Sequence, residues 1–466
     1  MELIETDYLI VGAGASGMSF ADVLVSQSDF EVTLVDRRHQ PGGHWVDAYP
    51  FVQLHQPSAY YGVNSKPLGQ DRIDTSGINA GFYERAEAAE IQDYYRQVLN
   101  RTFLPSGRVR FLSASDYLGK EDGHHVVHSN LSGKDTRIKV RRGLVDARII
   151  ESSIPARHTP SYSVDDGVQL VTPNQLVDVV DAKGYTLLGG GKTAMDVCFW
   201  LIQQGVAPDD ICWVRPRESW MSERTFTQPL ELSANMVRMQ AVSVQAAAEA
   251  TSPLDYYLRM EAAGTSLRIN PNFDPVVQRG ATISLPELEV LREIENVVHG
   301  QYVQSIGSTK VITRQGEFDT NAGRIYVDCT AAGVGHAPAS PIFEDEQINL
   351  HPTTLGVTPW SAAVVAFVTT LDMSLEEKNK LCPPLPRTGD IYGTMKVMRI
   401  GLPAETARRG VSEIAEWSAS SRLNPGRSIP NHMEDPEVKA AFARMMQYFQ
   451  AAQENVVRLT EQSIAS

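Results

Sequence analysis

The chain has 466 residues, 42% of them hydrophobic and 21% charged, the balance of a soluble globular protein of two or three domains. Its 42 Lys and Arg against 56 Asp and Glu leave a net charge of −14, which argues against nucleic acid as the main partner. Four cysteines with no CxxC pair exclude a disulfide framework, a dithiol centre and a zinc knuckle.

No run of about 18 apolar residues occurs, so no membrane span is expected. The acidic start, residues 1–8, lacks the form of a signal peptide, and a cytoplasmic setting is expected. Residues 8–11 read as a short buried strand, followed by a glycine turn and a helix to about Gln27. Residues 31–35 are a second strand. A helix is expected over 90–99, then a strand over 108–112 and a hairpin of 125–128 with 137–140. Residues 151–180 hold three prolines and little periodicity, which reads as a linker.

The opening pattern returns about 175 residues later, with a strand at 185–188, a glycine turn, a helix from Lys192 to about Gln204 and a strand at 211–214. Residues 221–285 read as a helical insertion, 287–295 as a helix and 324–328 as a strand. Near the end, Asp435 and Pro436 start a helix whose apolar stripe runs from Val438 to Leu459 and docks on the core. The domains implied are 1–150, a second at 181–335, and a return of the chain to the first within 336–466.

Gly12, Gly14 and Gly17 have the GxGxxG spacing between strand and helix. The first glycine permits the turn, the second admits a pyrophosphate over the positive end of the helix, and the third allows close packing. Ser16 lies inside this loop. Asp36 ends the second strand, 22 residues after Gly14, where a carboxylate accepts hydrogen bonds from ribose hydroxyls. Arg37 follows it, and then Gly42-Gly43-His44-Trp45. An acid with a Gly-Gly pair close behind is typical of an FAD site. The second set is Gly189, Gly191 and Ala194, with Lys192 and Thr193 between them. Arg215 and Arg217 stand after its second strand in place of an acid, which suits the 2′-phosphate of NADPH. The alternative is a second domain that has lost its nucleotide. Ala332 and Gly333 lie where backbone passes near nucleotide. No nucleophile elbow, HExxH or EF-hand pattern occurs, and no metal is expected.

These pieces together resemble the flavin-containing monooxygenases and their Baeyer–Villiger relatives, over roughly residues 5–335. The family's linker fingerprint is matched in its second half by His158-Thr159-Pro160-Ser161-Tyr162, while Ser152 and Ile154 depart from its first half. The resemblance implies an α/β protein with two Rossmann-like FAD/NAD(P)-binding domains, parallel sheets and β-meanders, plus a helical insertion and C-terminal helices. It implies FAD and NADPH as cofactors, O2 as acceptor and a small organic substrate, oxygenated through a C4a-(hydro)peroxyflavin. His55 and Gln56 follow the Gly-Gly-His-Trp segment, where that family places a polar side chain near the flavin. The alternative is that His55 only bonds backbone. A reductase, an oxidase or a non-catalytic flavin-bound sensor are the alternative functions.

Overall fold

A computed structural model describes residues 2–335, 338–354 and 356–462. Two parallel sheets organise them. In the first, Val109–Leu112, Val32–Val35, Glu2–Val11 and Asp135–Asp146 lie side by side and parallel. The first strand is buried on both faces, as a central parallel strand must be. Tyr8 and Ile10 join a core with Met18 and Phe20 of the helix Ala15–Gln27. The alternate residues Leu9 and Val11 meet Val127 and Ile138 on the opposite face.

Asp135–Asp146 changes neighbours along its length. Its start pairs antiparallel with His124–Ser129, which pairs with Ser115–Glu121 in a meander. Its end pairs parallel with Gln347–Asn349, so the chain returns to the first sheet late in the sequence. The helix Thr358–Thr370 follows and packs on Ala15–Gln27. Residues Pro359 to Thr369 are all buried, because both helices are nearly free of charge at this contact. Ser19 Oγ donates to the Pro359 carbonyl at 2.8 Å and fixes the register of the pair.

The second sheet has five parallel strands in the order Val297–His299, Ile211–Arg215, Tyr185–Leu188, Ile325–Asp328, Gln169–Val171. The helices Lys192–Gln203 and Leu285–Arg292 share one core on its face, through Ala194, Cys198, Leu201, Leu288 and Leu291. The architecture is the expected α/β one, with Rossmann-like sheets. Two details correct the sequence reading. Gln169–Val171, inside the stretch read as a linker, pairs with Ile325–Val327 and belongs to the second sheet. The insertion is not purely helical. Its helices Ala234–Glu249 and Pro253–Ala262 accompany a small sheet of Ser266–Leu267, Ser219–Glu223 and Val277–Ile283.

The stripe of the terminal helix Pro436–Gln462 packs on that insertion. Val438 and Ala441 meet Val237 and Ala241, and Val456 and Leu459 meet Val244 and Ala247. Between the two sheets, Ser152–Ser153 pairs antiparallel with Gly333–Val334. All four cysteines are buried and unpaired. Among the described residues no helix is long and apolar enough to cross a membrane, and no His, Cys, Asp or Glu group is placed to hold a metal.

Candidate functional site

Gly12 has φ +107°, a backbone conformation that glycine adopts without strain, and it turns the strand into the helix Ala15–Gln27. Gly17 is required by contact, since a Cβ there would lie 1.9 Å from the Gly12 carbonyl oxygen. Gly14 and Gly43 touch backbone to backbone, and a Cβ on Gly43 would come within 2.8 Å of Gly14 Cα. The two glycine segments of the sequence motif are thus one cradle, over the N–H groups that open the helix. Ser16 is buried in its first turn.

Asp36 is buried at the end of its strand. Its Oδ2 accepts from the Ala13 amide at 2.7 Å and its Oδ1 from the Arg38 amide at 2.8 Å. Each oxygen keeps a lone pair for a further donor. Burial pushes this carboxyl's pKa up, against the pull of those two amides. A cradle a Cβ would fill, an open helix N-terminus and a carboxylate at the strand end fit a dinucleotide. Arg37 does not join them. It is paired with Glu151, where the chain leaves the first sheet.

At the second loop a Cβ on Gly189 would stand 2.5 Å from the Cys329 carbonyl oxygen, and one on Gly190 2.5 Å from that of Arg217. Gly191 has open space on its Cβ side. Ala194 is buried against the sheet. Arg217 is exposed beside this loop. Arg215 is not a partner to it in the manner expected. Its side chain is only 3% exposed, lies over the Trp213 ring at 4.7 Å and pairs with Glu218 at 3.3 Å. Sequence reasoning missed Arg279, on the insertion strand Val277–Ile283, whose Nη1 donates to the Ala332 carbonyl. Gly333 opens the strand that crosses between the sheets.

The two loops are joined by a seam of polar side chains. Tyr49 Oη donates to Asp196 Oδ2 at 2.8 Å, beside Thr193, and Asp196 also pairs with Lys192. Lys192 is therefore committed to an ion pair rather than free for a phosphate. Phe51 stacks on Trp200 with centroids 4.6 Å apart. His55, half-buried, faces Lys192, Asp196, Arg224 and Arg85. Burial, reinforced by Lys192, holds its pKa down to about 3, so the imidazole is neutral at ordinary pH. Glu287 takes Arg224 at 2.7 Å and Arg85 at 3.3 Å. Burial opposes its ionisation, but Arg224, Lys192 and Arg85 outweigh that and hold its pKa at about 2. His44 is held down to about 4 by burial and Arg38. Trp45 Nε1 donates to Tyr61 Oη at 2.7 Å. Gln56 is half-buried next to His55.

The half-matched fingerprint also has a structural role. His158 Nε2 lies 3.1 Å from Thr330 Oγ1, and Tyr162 Oη donates to Asp328 Oδ1 at 3.0 Å. Both tie the chain crossing to the end of the strand Ile325–Asp328. Gly389 accepts the Gln278 amide of the insertion strand at 3.2 Å, and Asp390 Oδ1 accepts the amides of Tyr392 and Gly393 at 2.9 Å as the helix Gly393–Arg409 begins.

A model of the NAD(P)-binding Rossmann-like domain matches residues 10–55. An uncharacterized protein of Mycobacterium tuberculosis is 39% identical over 446 residues, which cover 95% of this chain and 82% of that protein. The chain belongs to its family. An uncharacterized protein of Mycobacterium bovis in the same family matches with the same identity and coverage. The open crystal structure of cyclohexanone monooxygenase is similar in fold, with a TM-score of 0.50 at 13% identity, over 95% of this chain and 98% of that one.

Proposed function

We propose that this protein is an FAD- and NADPH-dependent oxidoreductase that oxygenates a small organic molecule. The observation that carries the reading is the pair of glycine loops, each opening a helix at the end of a parallel strand, joined by the Tyr49–Asp196–Lys192–His55 seam. The residues of the first loop would hold FAD and those of the second NADPH, and the two cofactors together would supply hydride transfer and delivery of two electrons to O2. The net reaction is NADPH, H⁺, O2 and substrate going to NADP⁺, oxygenated substrate and water.

The chain's own residues have the following parts. Gly14, Gly43 and the first amides of Ala15–Gln27 hold the pyrophosphate, and Asp36 accepts the ribose hydroxyls. Phe51 and Trp200 exclude water from the seam. His55, neutral, offers an N–H donor without becoming an acid, and Gln56 offers a second. Such donors stabilise developing negative charge on oxygen.

Ser152 and Ile154, at the unmatched half of the fingerprint, favour an oxidase or reductase as the second reading. Turnover in air decides between them, with cyclohexanone and methyl phenyl sulfide as probes. Monooxygenation gives oxygenated probe in proportion to NADPH consumed. Hydrogen peroxide alone, in that same proportion, gives the oxidase, and no oxygen uptake gives the reductase.

A further inference from the structure

Arg85, from the first domain, and Arg224, from the start of the insertion, meet on one carboxylate, that of Glu287, at 3.3 Å and 2.7 Å. Their side chains are only 5% and 0% exposed. Among the described residues no second carboxylate stands within ion-pair distance of either. The nearby acids are engaged elsewhere. Asp196 pairs with Lys192, Glu223 Oε2 accepts the Thr225 amide at 2.9 Å, and Asp74 Oδ2 accepts from Asn79 Nδ2 at 2.7 Å. Two buried cations therefore share one anion, and one positive charge is left over. A buried charge without a counter-ion is costly, and an anion beside it removes the cost.

The two guanidinium groups are held differently. Arg224 is closed off, with its Nη1 2.7 Å from Glu287 and its Nη2 donating to the Thr282 carbonyl at 3.3 Å. Glu287 is itself fixed, because its Oε2 accepts the Ser284 amide at 2.7 Å where its helix begins. Arg85 makes two long bonds, both 3.3 Å, to Glu287 and to the Leu54 carbonyl, and its Nε has no hydrogen-bond partner among the described residues. Charge-assisted bonds are ordinarily about 2.7–2.9 Å, so Arg85 is the looser partner and keeps donor capacity. Its bond to Leu54 places it at the peptide that leads into His55 and Gln56. The insertion seals the same place, since Tyr60 Oη donates to the Gln228 carbonyl at 2.8 Å and the Tyr83 amide to Gln228 Oε1 at 2.9 Å. We propose that the substrate carries a carboxylate, which Arg85 binds beside His55, with Arg224 and Glu287 positioning that guanidinium. One leftover charge matches a carboxylate and is overmatched by a phosphate group of about two. The inference rests on the reading of the seam as the place where substrate meets the flavin, and it narrows the small organic molecule to a small organic acid.

The test is calorimetric binding of benzoate, hexanoate and 4-(methylthio)benzoate, each against its methyl ester, to the flavin-loaded protein and to its Arg85→Ala and Arg85→Lys variants. At least one acid should bind about tenfold or more tightly than its ester, the value of a charged hydrogen bond. Arg85→Ala should remove that advantage and leave ester binding unchanged, while Arg85→Lys, which keeps the charge without the fork, should recover part of it. Acids that bind no better than their esters overturn the proposal, as does an advantage that survives Arg85→Ala. An equal loss of acid and ester in Arg85→Ala marks a merely structural role and overturns it too. Oxygenation of methyl phenyl sulfide without any preference for acids removes the carboxylate site alone. A preference carried by Arg85 without any oxygenated product upholds the site and removes the oxygenation.

Discussion

A methyl group on Gly17 would stand 1.9 Å from the Gly12 carbonyl oxygen, against backbone that cannot move without opening the turn. Gly17→Ala should therefore lose bound flavin, read as flavin absorbance relative to protein after purification. A folded, fully yellow variant would remove the first loop from the cofactor site. His55 gives a prediction in pH. Its folded pKa lies near 3, below the ordinary 6.5, so between those values the unfolded chain binds a proton the folded chain refuses. His55 thus lowers the stability of the flavin-free protein as pH falls below 6.5, and His55→Gln should flatten that fall. Denaturant midpoints for both proteins at several pH values between 4 and 7 check it, and parallel curves would refute it. The placement of the glycines at the strand–helix turn and of Asp36 at its strand end was legible in the sequence, because both follow from spacing and backbone. Arg215 was misread, although period-two alternation already gives the answer. Ile211, Trp213 and Arg215 share one face of their strand, that face is core beneath Leu285–Arg292, and only Arg217 lies beyond the strand's end.

At the scale of elements, strands and helices bounded by glycine turns were readable, since each carries its own periodicity and cap. The helix Ala15–Gln27 ends where its pattern ends. Partners across long separations were not. Three residues at 169–171 become a strand only because Ile325–Asp328 offers an edge, and nothing local announces that. The insertion was read as helical because its strands are short and draw their stability from one another. Arg279 was invisible for the same reason, since its place depends on how that small sheet sits. Glu287 shows what such placement holds together. It neutralises Arg85 from the first domain and Arg224 from the insertion, and breaking a buried pair of this kind typically costs about 3–5 kcal/mol. Glu287→Gln should destabilise the protein by about 3 kcal/mol at neutral pH in urea unfolding. Its folded pKa of about 2 lies below the ordinary 4.5, so this stabilisation is complete above 4.5 and lost as pH falls towards 2. The gap between variant and unaltered protein should narrow over that window, and a gap that stays constant would contradict the assignment.

At the scale of the whole molecule, the chain carries a net charge of −14 and yet keeps basic groups at the second loop and the seam. Global repulsion of anions is met by local attraction where a dinucleotide would lie. The fold class was accessible from sequence because two strand–glycine–helix units repeat in one chain. Their relation was not, because it rests on a two-residue strand pair, Ser152–Ser153 with Gly333–Val334, and on side chains that meet only when folded. The two sites are expected to fail separately. Gly190→Val would press a side chain on the Arg217 carbonyl, and should leave the protein yellow while abolishing its reduction by NADPH. A colourless Gly190→Val protein would show that the loops do not act as separate sites. Whether one chain binds FAD and NADPH and passes hydride between them is decided by anaerobic titration of the purified protein with NADPH. The expected result is a yellow protein whose visible flavin band bleaches in proportion to NADPH added, to completion at one NADPH per flavin. A protein that holds no flavin, or a flavin band that NADPH leaves unchanged, would contradict it.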